Sequence, residues 1–224
     1  MRTAIVRDWG SDVDYRTCWA AMQSFCAART AETPDEIWVL QHAPVYTRGR
    51  NAQALAPHGP IPVIDSDRGG DITYHGPGQL VVYPLLDLGR LGIGVRHLVS
   101  GLETAVLGTL TGFGVSGGHT RPRAPGVYVA DAKIASLGLR IRRGHSYHGL
   151  ALNVAMDLQP FAVIAPCGYQ GLRMTQLVDC GGPADMGLVA RAVLHEFLSY
   201  LDLTPIGHSH DPSIGFKPAL AAHP

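Results

Sequence analysis

Lysine is almost missing from this 224-residue chain: Lys133 and Lys217 are the two present. Charged residues amount to 16%, against about 25% in an ordinary soluble domain, which excludes a solvated, self-repelling disordered chain. The 18 basic and 18 acidic side chains cancel, so no global positive field exists to attract nucleic acid. Four cysteines (Cys18, Cys26, Cys167, Cys180) are too few for a disulfide scaffold, and no pair has zinc-ligand spacing. Apolar runs such as Leu80–Leu86 fall well short of the ~20 residues of a membrane span. The opening MRTAIVRDWG lacks the apolar core of a signal peptide. These absences predict a cytoplasmic protein with neither membrane nor nucleic-acid partners.

A chain of this length buries roughly 70% of its unfolded surface around one core. Tyr15, Trp19, Met22, Phe25 and Cys26 recur at helical spacing and predict a helix from Tyr15 to about Ala31, capped by Asp12 or Asp14. Leu98, Leu102, Val106 and Leu110 predict a second helix over Val95–Phe113. A third is expected over Leu188–Leu201, with Leu188, Ala192, His195 and Leu198 on its stripe. Ile37–Leu40 and Leu80–Leu86 read as strands, the latter pushed to an edge or bulge by Pro84. Val127–Val129, Lys133–Arg142 and Ser146–Val154 read as successive antiparallel strands, turning at Asp131-Ala132 and Arg143-Gly144. Residues 47–62 read as an irregular excursion. The pattern is that of a single α+β domain over 1–204, with 205–224 a loosely ordered C-terminal tail.

The densest chemical signal is Arg68-Gly69-Gly70-Asp71-Ile72-Thr73-Tyr74-His75-Gly76-Pro77-Gly78-Gln79. It mixes recognition-capable side chains with glycines that let backbone approach a ligand closely. It lacks the Gly-Lys-Ser/Thr ending of a phosphate loop. Cys167 lies between Pro166 and Gly168, where a thiolate has room to attack a carbonyl once a base or cation activates it. Taken alone it also fits an inert core position, as Cys18 and Cys26 do on their helix. Lys133 opens the apolar run Ile134-Ala135-Ser136-Leu137-Gly138-Leu139. A lysine leaving a half-buried strand loses hydration, which favours its neutral, proton-accepting form; a snorkelling strand end is the plainer alternative.

Three segments together resemble the lipoyl(octanoyl) transferase family: RGGDITYHGPGQLVVYPLLDL at 68–88, KIASLGLRIRRGHSYHGLALNV at 133–154, and APCG at 165–168. QHAPVYTRGR at 41–50 and PGVYV at 125–129 extend the similarity. Arg48 and Gln176 depart from the family's usual residues. The resemblance implies a domain like the catalytic domain of biotin and lipoate protein ligases, with a mixed, largely antiparallel sheet flanked by helices. It implies transfer of an octanoyl group from octanoyl-acyl carrier protein to a lysine of lipoyl domains in 2-oxoacid dehydrogenase E2 subunits, or of glycine-cleavage H protein. No cofactor or metal is implied, and the protein is expected to act as a monomer. By matched position, Cys167 carries the acyl group as a thioester and Lys133 manages its proton. Arg68, Gly69, Gly70, Asp71, Ile72, Thr73, Tyr74, His75, Ser136, Leu137, Gly138, Gly149, Leu150 and Ala151 match the acyl-binding stretches. Burying an eight-carbon chain among them contributes several kcal/mol, at roughly 0.8 per methylene. An ATP-dependent ligase and a non-catalytic acyl-binding module are the competing readings.

Overall fold

A computed structural model describes residues 2–52, 57–122, 124–164 and 172–209. In chain order these residues form β1 (Arg2–Asp8), α1 (Tyr15–Ala28), β2 (Asp35–Leu40), β3 (Val45–Arg48), β4 (Val63–Asp65), β5 (Ile72–His75) and β6 (Gln79–Leu85). There follow α2 (Leu88–Leu91), α3 (Val95–Gly112), β7 (Gly118–Arg121), β8 (Ala124–Val129), β9 (Ala132–Arg142), β10 (His145–Asn153), α4 (Met186–Leu201) and β11 (Leu203–Ser209). The main sheet has the order β11-β1-β2-β6-β10-β9-β8-β7, and a small sheet has the order β4-β3-β5. In the main sheet β1 pairs in parallel with β11 and β2, and the remaining pairings are antiparallel.

Strict alternation in the central strands divides the core into two layers. Ile37 and Val39 of β2, with Leu80 and Val82 of β6, face α3 and α4. Trp38 and Leu40, with Val81, Tyr83 and Leu85, face α1 on the other side. The helix α1 begins where the Asp14 carboxylate accepts from the Thr17 N–H, as its sequence predicts. Its Cys18 and Cys26 are buried there, and burial pushes both thiols up, to about 12 and about 11. These are inert packing residues. The α4 stripe differs in part from the predicted one: Leu198 is buried as expected, together with Val189, Val193, Phe197 and Leu201, whereas Leu188 is 40% exposed. Bulkier side chains on that face bury more apolar area, so they win the orientation.

Other differences have local causes. Pro84 sits in a central strand rather than at an edge. The β6–β10 ladder covers Gln79–Val82 against Asn153–Leu150, so the missing N–H of Pro84 falls beyond its last rung. The hairpin between β9 and β10 turns at Arg143-Gly144 as expected, with positive φ at both residues (51° and 82°). The β8–β9 connection is Ala130-Asp131, one residue earlier than predicted, with Ala130 taking the positive φ. Val45–Arg48, part of which read as irregular, is a strand of the small sheet. Residues 205–209, assigned to the tail, lie in β11 against β1; residues 210–224 lie outside the described residues.

Asp67 joins three parts of this architecture. Its carboxylate accepts from Trp19 Nε1 on α1 (2.9 Å), from the Tyr147 hydroxyl, and from His148 Nε2 on β10 (2.9 Å). Partial burial alone raises the Asp67 pKa, but these donors outweigh it and bring it down to about 2. A carboxyl whose folded-state pKa is depressed stabilises fully above its ordinary pKa, near 4, and loses that contribution as pH falls toward 2. Asp67→Asn is therefore expected to lower stability at neutral pH and to flatten the loss of stability between about pH 4 and pH 2. Equilibrium urea denaturation across that range checks this, and an unchanged acid limb contradicts it.

Candidate active site

Lys133 owes its direction to a β-bulge. Tyr128 of β8 pairs with Lys133 while Val127 pairs with Ala135, so Ile134 is the extra residue on β9. Ile134 and Ala135 both enter the α3/α4 core, and Lys133 lines a cavity. Its side chain is 1% exposed, with Nζ 5.4 Å from the centroid of the Tyr128 ring. Gly126 makes that position possible: with φ of 138°, a Cβ built there would lie 2.5 Å from Lys133 Cε. The Lys133 backbone is gripped from a third side. Its N–H donates to the Arg173 carbonyl (2.8 Å) and its carbonyl accepts from the Thr175 N–H (3.0 Å).

The glycine-rich segment forms the facing wall. Arg68 is 7% exposed, and its guanidinium turns into its own loop, donating to Thr47 Oγ1 (3.0 Å) and to the carbonyls of Thr47, Gly69 and Asp71. The Gly69 N–H donates to the Leu139 carbonyl (2.9 Å), laying the loop directly on β9. Opposite that contact, a Cβ on Gly138 would come within 2.9 Å of the Gly69 carbonyl oxygen. Between wall and sheet lies about 530 Å³ of space not filled by atoms, partly open to solvent.

The cavity gathers residues from two of the three segments, 68–88 and 133–154. Arg68, Gly70, Asp71, Ile72, Thr73, His75, Lys133, Ser136, Leu137, Gly138, Gly149, Leu150 and Ala151 all line it. Gly69 stands behind them in the loop–strand contact. Tyr74 points elsewhere, packing with Tyr46, Met156 and Phe161 under the small sheet. Cys167 lies outside the described residues. Tyr83 and His148 also line the cavity, and sequence reasoning did not select them as site residues.

Buried side chains fix the hydrogen-bonding of this wall. Asn153 Nδ2 donates to the Thr175 carbonyl (2.9 Å), which leaves Asn153 Oδ1 to accept from Gln79 Nε2 (3.0 Å). Gln79 Oε1 then accepts from His75 Nδ1 (2.7 Å), so in the neutral ring Nε2 carries the lone pair. Burial pushes the His75 pKa well below its ordinary value, which keeps that ring neutral. His42 follows the same logic. Nδ1 donates to the Val13 carbonyl (2.9 Å), Nε2 accepts from the Tyr83 hydroxyl (2.8 Å), and burial lowers its pKa to about 4.

Among the described residues no cluster of three metal-ligating side chains occurs. Arg140 pairs in register with Tyr147, while Arg142 and Arg143 are exposed at the hairpin tip. From Lys133 to Arg142 is about 30 Å of strand. The two departures from the family pattern are accommodated locally. Arg48 pairs with Asp65 (3.1 Å), and Gln176 Oε1 accepts from the Met156 N–H (2.6 Å).

A family model described as the lipoyl protein ligase A/B catalytic domain matches residues 14–198. An octanoyltransferase of Hahella chejuensis is 56% identical over 200 residues, covering 88% of each chain. One of Stutzerimonas stutzeri is 58% identical over 187 residues, covering 83% of this chain and 84% of its own. A bipartite lipoate protein ligase from Thermoplasma acidophilum shares the fold, with a TM-score of 0.75 at 14% identity, over 93% of this chain and 87% of its own. The biotin protein ligase of Aquifex aeolicus is more distant, with a TM-score of 0.52 at 14% identity, over 90% of this chain and 70% of its own. Identity above one half, sustained over more than four-fifths of both chains, places this protein in the octanoyltransferase family.

Proposed function

We propose that this protein transfers an octanoyl group from octanoyl-acyl carrier protein to a lysine of lipoyl domains, through a thioester on Cys167. The observation that carries the reading is the cavity. Glycines, apolar side chains and several polar ones from the segments at 68–88 and 133–154 line it, with the buried amine of Lys133 on its wall. Lys133 is held by Arg173 and Thr175, six and eight residues along the chain from Cys167. The curated relatives named above share the activity in their names.

The chemistry balances without a nucleotide. The Cys167 sulfur attacks the thioester carbonyl of the donor, a new C–S bond forms, and the carrier's own thiol leaves. Lys133 takes the Cys167 proton and returns it to that departing sulfur. In the second half the acceptor amine attacks, the C–N bond forms and the C–S bond to Cys167 breaks. The amine's proton passes through Lys133 to the released thiolate. Thioester exchange is nearly neutral in free energy and amide formation is downhill, so the favourable step comes last. Backbone N–H groups beside a reacting carbonyl stabilise the tetrahedral oxyanion in such reactions. The cytoplasm, where carrier and acceptor meet, is the expected site of action, with the monomer as the working unit.

Mixing the protein with octanoyl-acyl carrier protein is expected to add one octanoyl group to its intact mass, and Cys167→Ser to abolish the adduct. An enzyme that stays active as Cys167→Ala and consumes ATP with free octanoate would instead be a ligase, and the proposal would fall. Lys133→Ala is expected to lower turnover by about 10²-fold or more, the usual scale for a proton-transfer group, with little change in KM for the carrier. Steady-state kinetics with the two substrates varied separately decides this, and unchanged turnover removes Lys133 from the mechanism.

A further inference from the structure

The Lys133 side chain lies against β8, and β8 is irregular at the point of contact. On the side away from β9, Thr120 of β7 pairs with Val127 and Arg121 with Ala124, so Pro125 and Gly126 have no counterparts on β7. Proline has no N–H to satisfy, but Gly126 has one, and Gly126 is buried. An unpaired buried N–H is costly, so the bulge needs an acceptor from elsewhere. Glu103 of α3 supplies it: its Oε1 accepts from the Gly126 N–H at 3.0 Å. Helix packing brings the side chain there. Leu102 and Val106 are fully buried in the same core layer as Val127 of β8, which sets the half-buried Glu103 against the strand. A second hydrogen bond, from the Tyr128 hydroxyl to the Ala124 carbonyl (3.2 Å), closes the irregular stretch within β8. Glu103 lies outside the segments that carry the family resemblance.

What Glu103 holds is the surface on which the Lys133 side chain rests. Gly126 has a φ of 138°, in a region that residues with a Cβ rarely adopt. A Cβ built on it would come within 2.5 Å of Lys133 Cε, 2.5 Å of the Ala135 carbonyl oxygen and 3.2 Å of Lys133 Nζ. The end of the lysine therefore runs directly over the glycine backbone, with no side chain between them. Backbone in such a conformation persists only while its surroundings over-determine it. If Gly126 moves toward the lysine it pushes the amine aside, and if it moves away it leaves the amine unsupported. We propose that Glu103 is a positioning residue for Lys133: through the Gly126 N–H, its carboxylate fixes the piece of strand on which the amine lies. It acts through Gly126 and not by contact with a substrate. The position requires an acceptor oxygen at the reach of a glutamate or glutamine side chain, and the charge is secondary. The inference rests on the role of Lys133 in acyl transfer and extends it to a residue on α3.

Two variants separate reach from charge. Glu103→Gln keeps an acceptor oxygen at the same reach, and Glu103→Asp keeps the charge on a side chain one methylene shorter. Val193→Ala, which opens a void in the core under α4, is the control for general loosening. Turnover with octanoyl-acyl carrier protein and a lipoyl domain is expected to stay within about twofold of wild type in Glu103→Gln. In Glu103→Asp it should fall about tenfold, the scale of one hydrogen bond to a charged group, with KM for the carrier unchanged. The chain's two lysines give a second readout that needs no acyl transfer. Limited acetylation with acetic anhydride, followed by peptide mass mapping, measures the Lys133 rate relative to Lys217 in the same sample. That ratio is expected to match wild type in Glu103→Gln and Val193→Ala and to rise about tenfold in Glu103→Asp. A folded Glu103→Asp in which either readout stays at the wild-type value overturns the proposal. A Glu103→Gln as impaired as Glu103→Asp overturns it too, as does a Val193→Ala that reproduces both changes. Should the Glu103 variants not fold, hydrogen exchange at the Gly126 amide of the wild-type protein decides: slow exchange supports the clamp, and exchange at the rate of an exposed amide overturns it. If the wild-type protein transfers no octanoyl group, the acyl-transfer reading fails, and the acetylation ratios alone decide the positioning.

Discussion

The site depends on how the backbone of Lys133 is held. A lysine amine buried to 1% exposure has little freedom to search for a partner, so its direction must come from the main chain. Three constraints supply it: the bulge at Ile134, the vacant Cβ position of Gly126, and the two hydrogen bonds to Arg173 and Thr175. The last of these matters most for chemistry. It ties Lys133 to Arg173 and Thr175, residues that follow the proposed nucleophile Cys167 in the chain by six and eight positions.

Around that point the protein keeps an unusual number of polar groups out of water and neutral. His42, His75 and His148 are buried with depressed pKa values, and each has one ring nitrogen committed to an acceptor in the protein. The commitment fixes the tautomer and so determines where each remaining lone pair lies. A low-dielectric interior makes such networks costly when incomplete and rigid when complete. The chain from Thr175 through Asn153 and Gln79 to His75 begins on the segment that grips Lys133 and ends on the cavity wall. The segment that grips Lys133 and the cavity wall are thereby joined by one run of side-chain hydrogen bonds.

Much of this was legible in the sequence, and the exceptions are physical. The helices α1 and α3 appear through the spacing of their apolar residues, and the hairpin at Arg143-Gly144 through its turn chemistry. The two segments around the cavity, 68–88 and 133–154, declare themselves by composition, because a loop that must lie directly on a strand needs glycine at Gly69 and Gly138. Other features leave no local trace. The strand β1 pairs with residues some two hundred positions away, and a proline in β6 is harmless only because of where the neighbouring ladder ends. Tyr83 and His148 were not selected as lining residues because their part in the wall depends on tertiary position. In His148 it depends on a backbone reversal, a φ of 56° within β10, that an alternating strand pattern hides. Arg68 was legible as important but its action was not: it builds the loop through backbone carbonyls.

The pairing of β1 with β11 also bears on how the molecule is made. Arg2 lies opposite Leu203, so β1 waits for a segment some two hundred residues later in the chain before that row of its backbone groups is covered. Until then a nascent chain presents a bare sheet margin of the sort that invites pairing with a neighbour. Closing so distant a contact carries a large loop-entropy cost and slows assembly. The acidic and basic side chains at that margin, Arg2, Arg7 and Asp8, are what a growing polypeptide has to discourage unwanted partners during the wait.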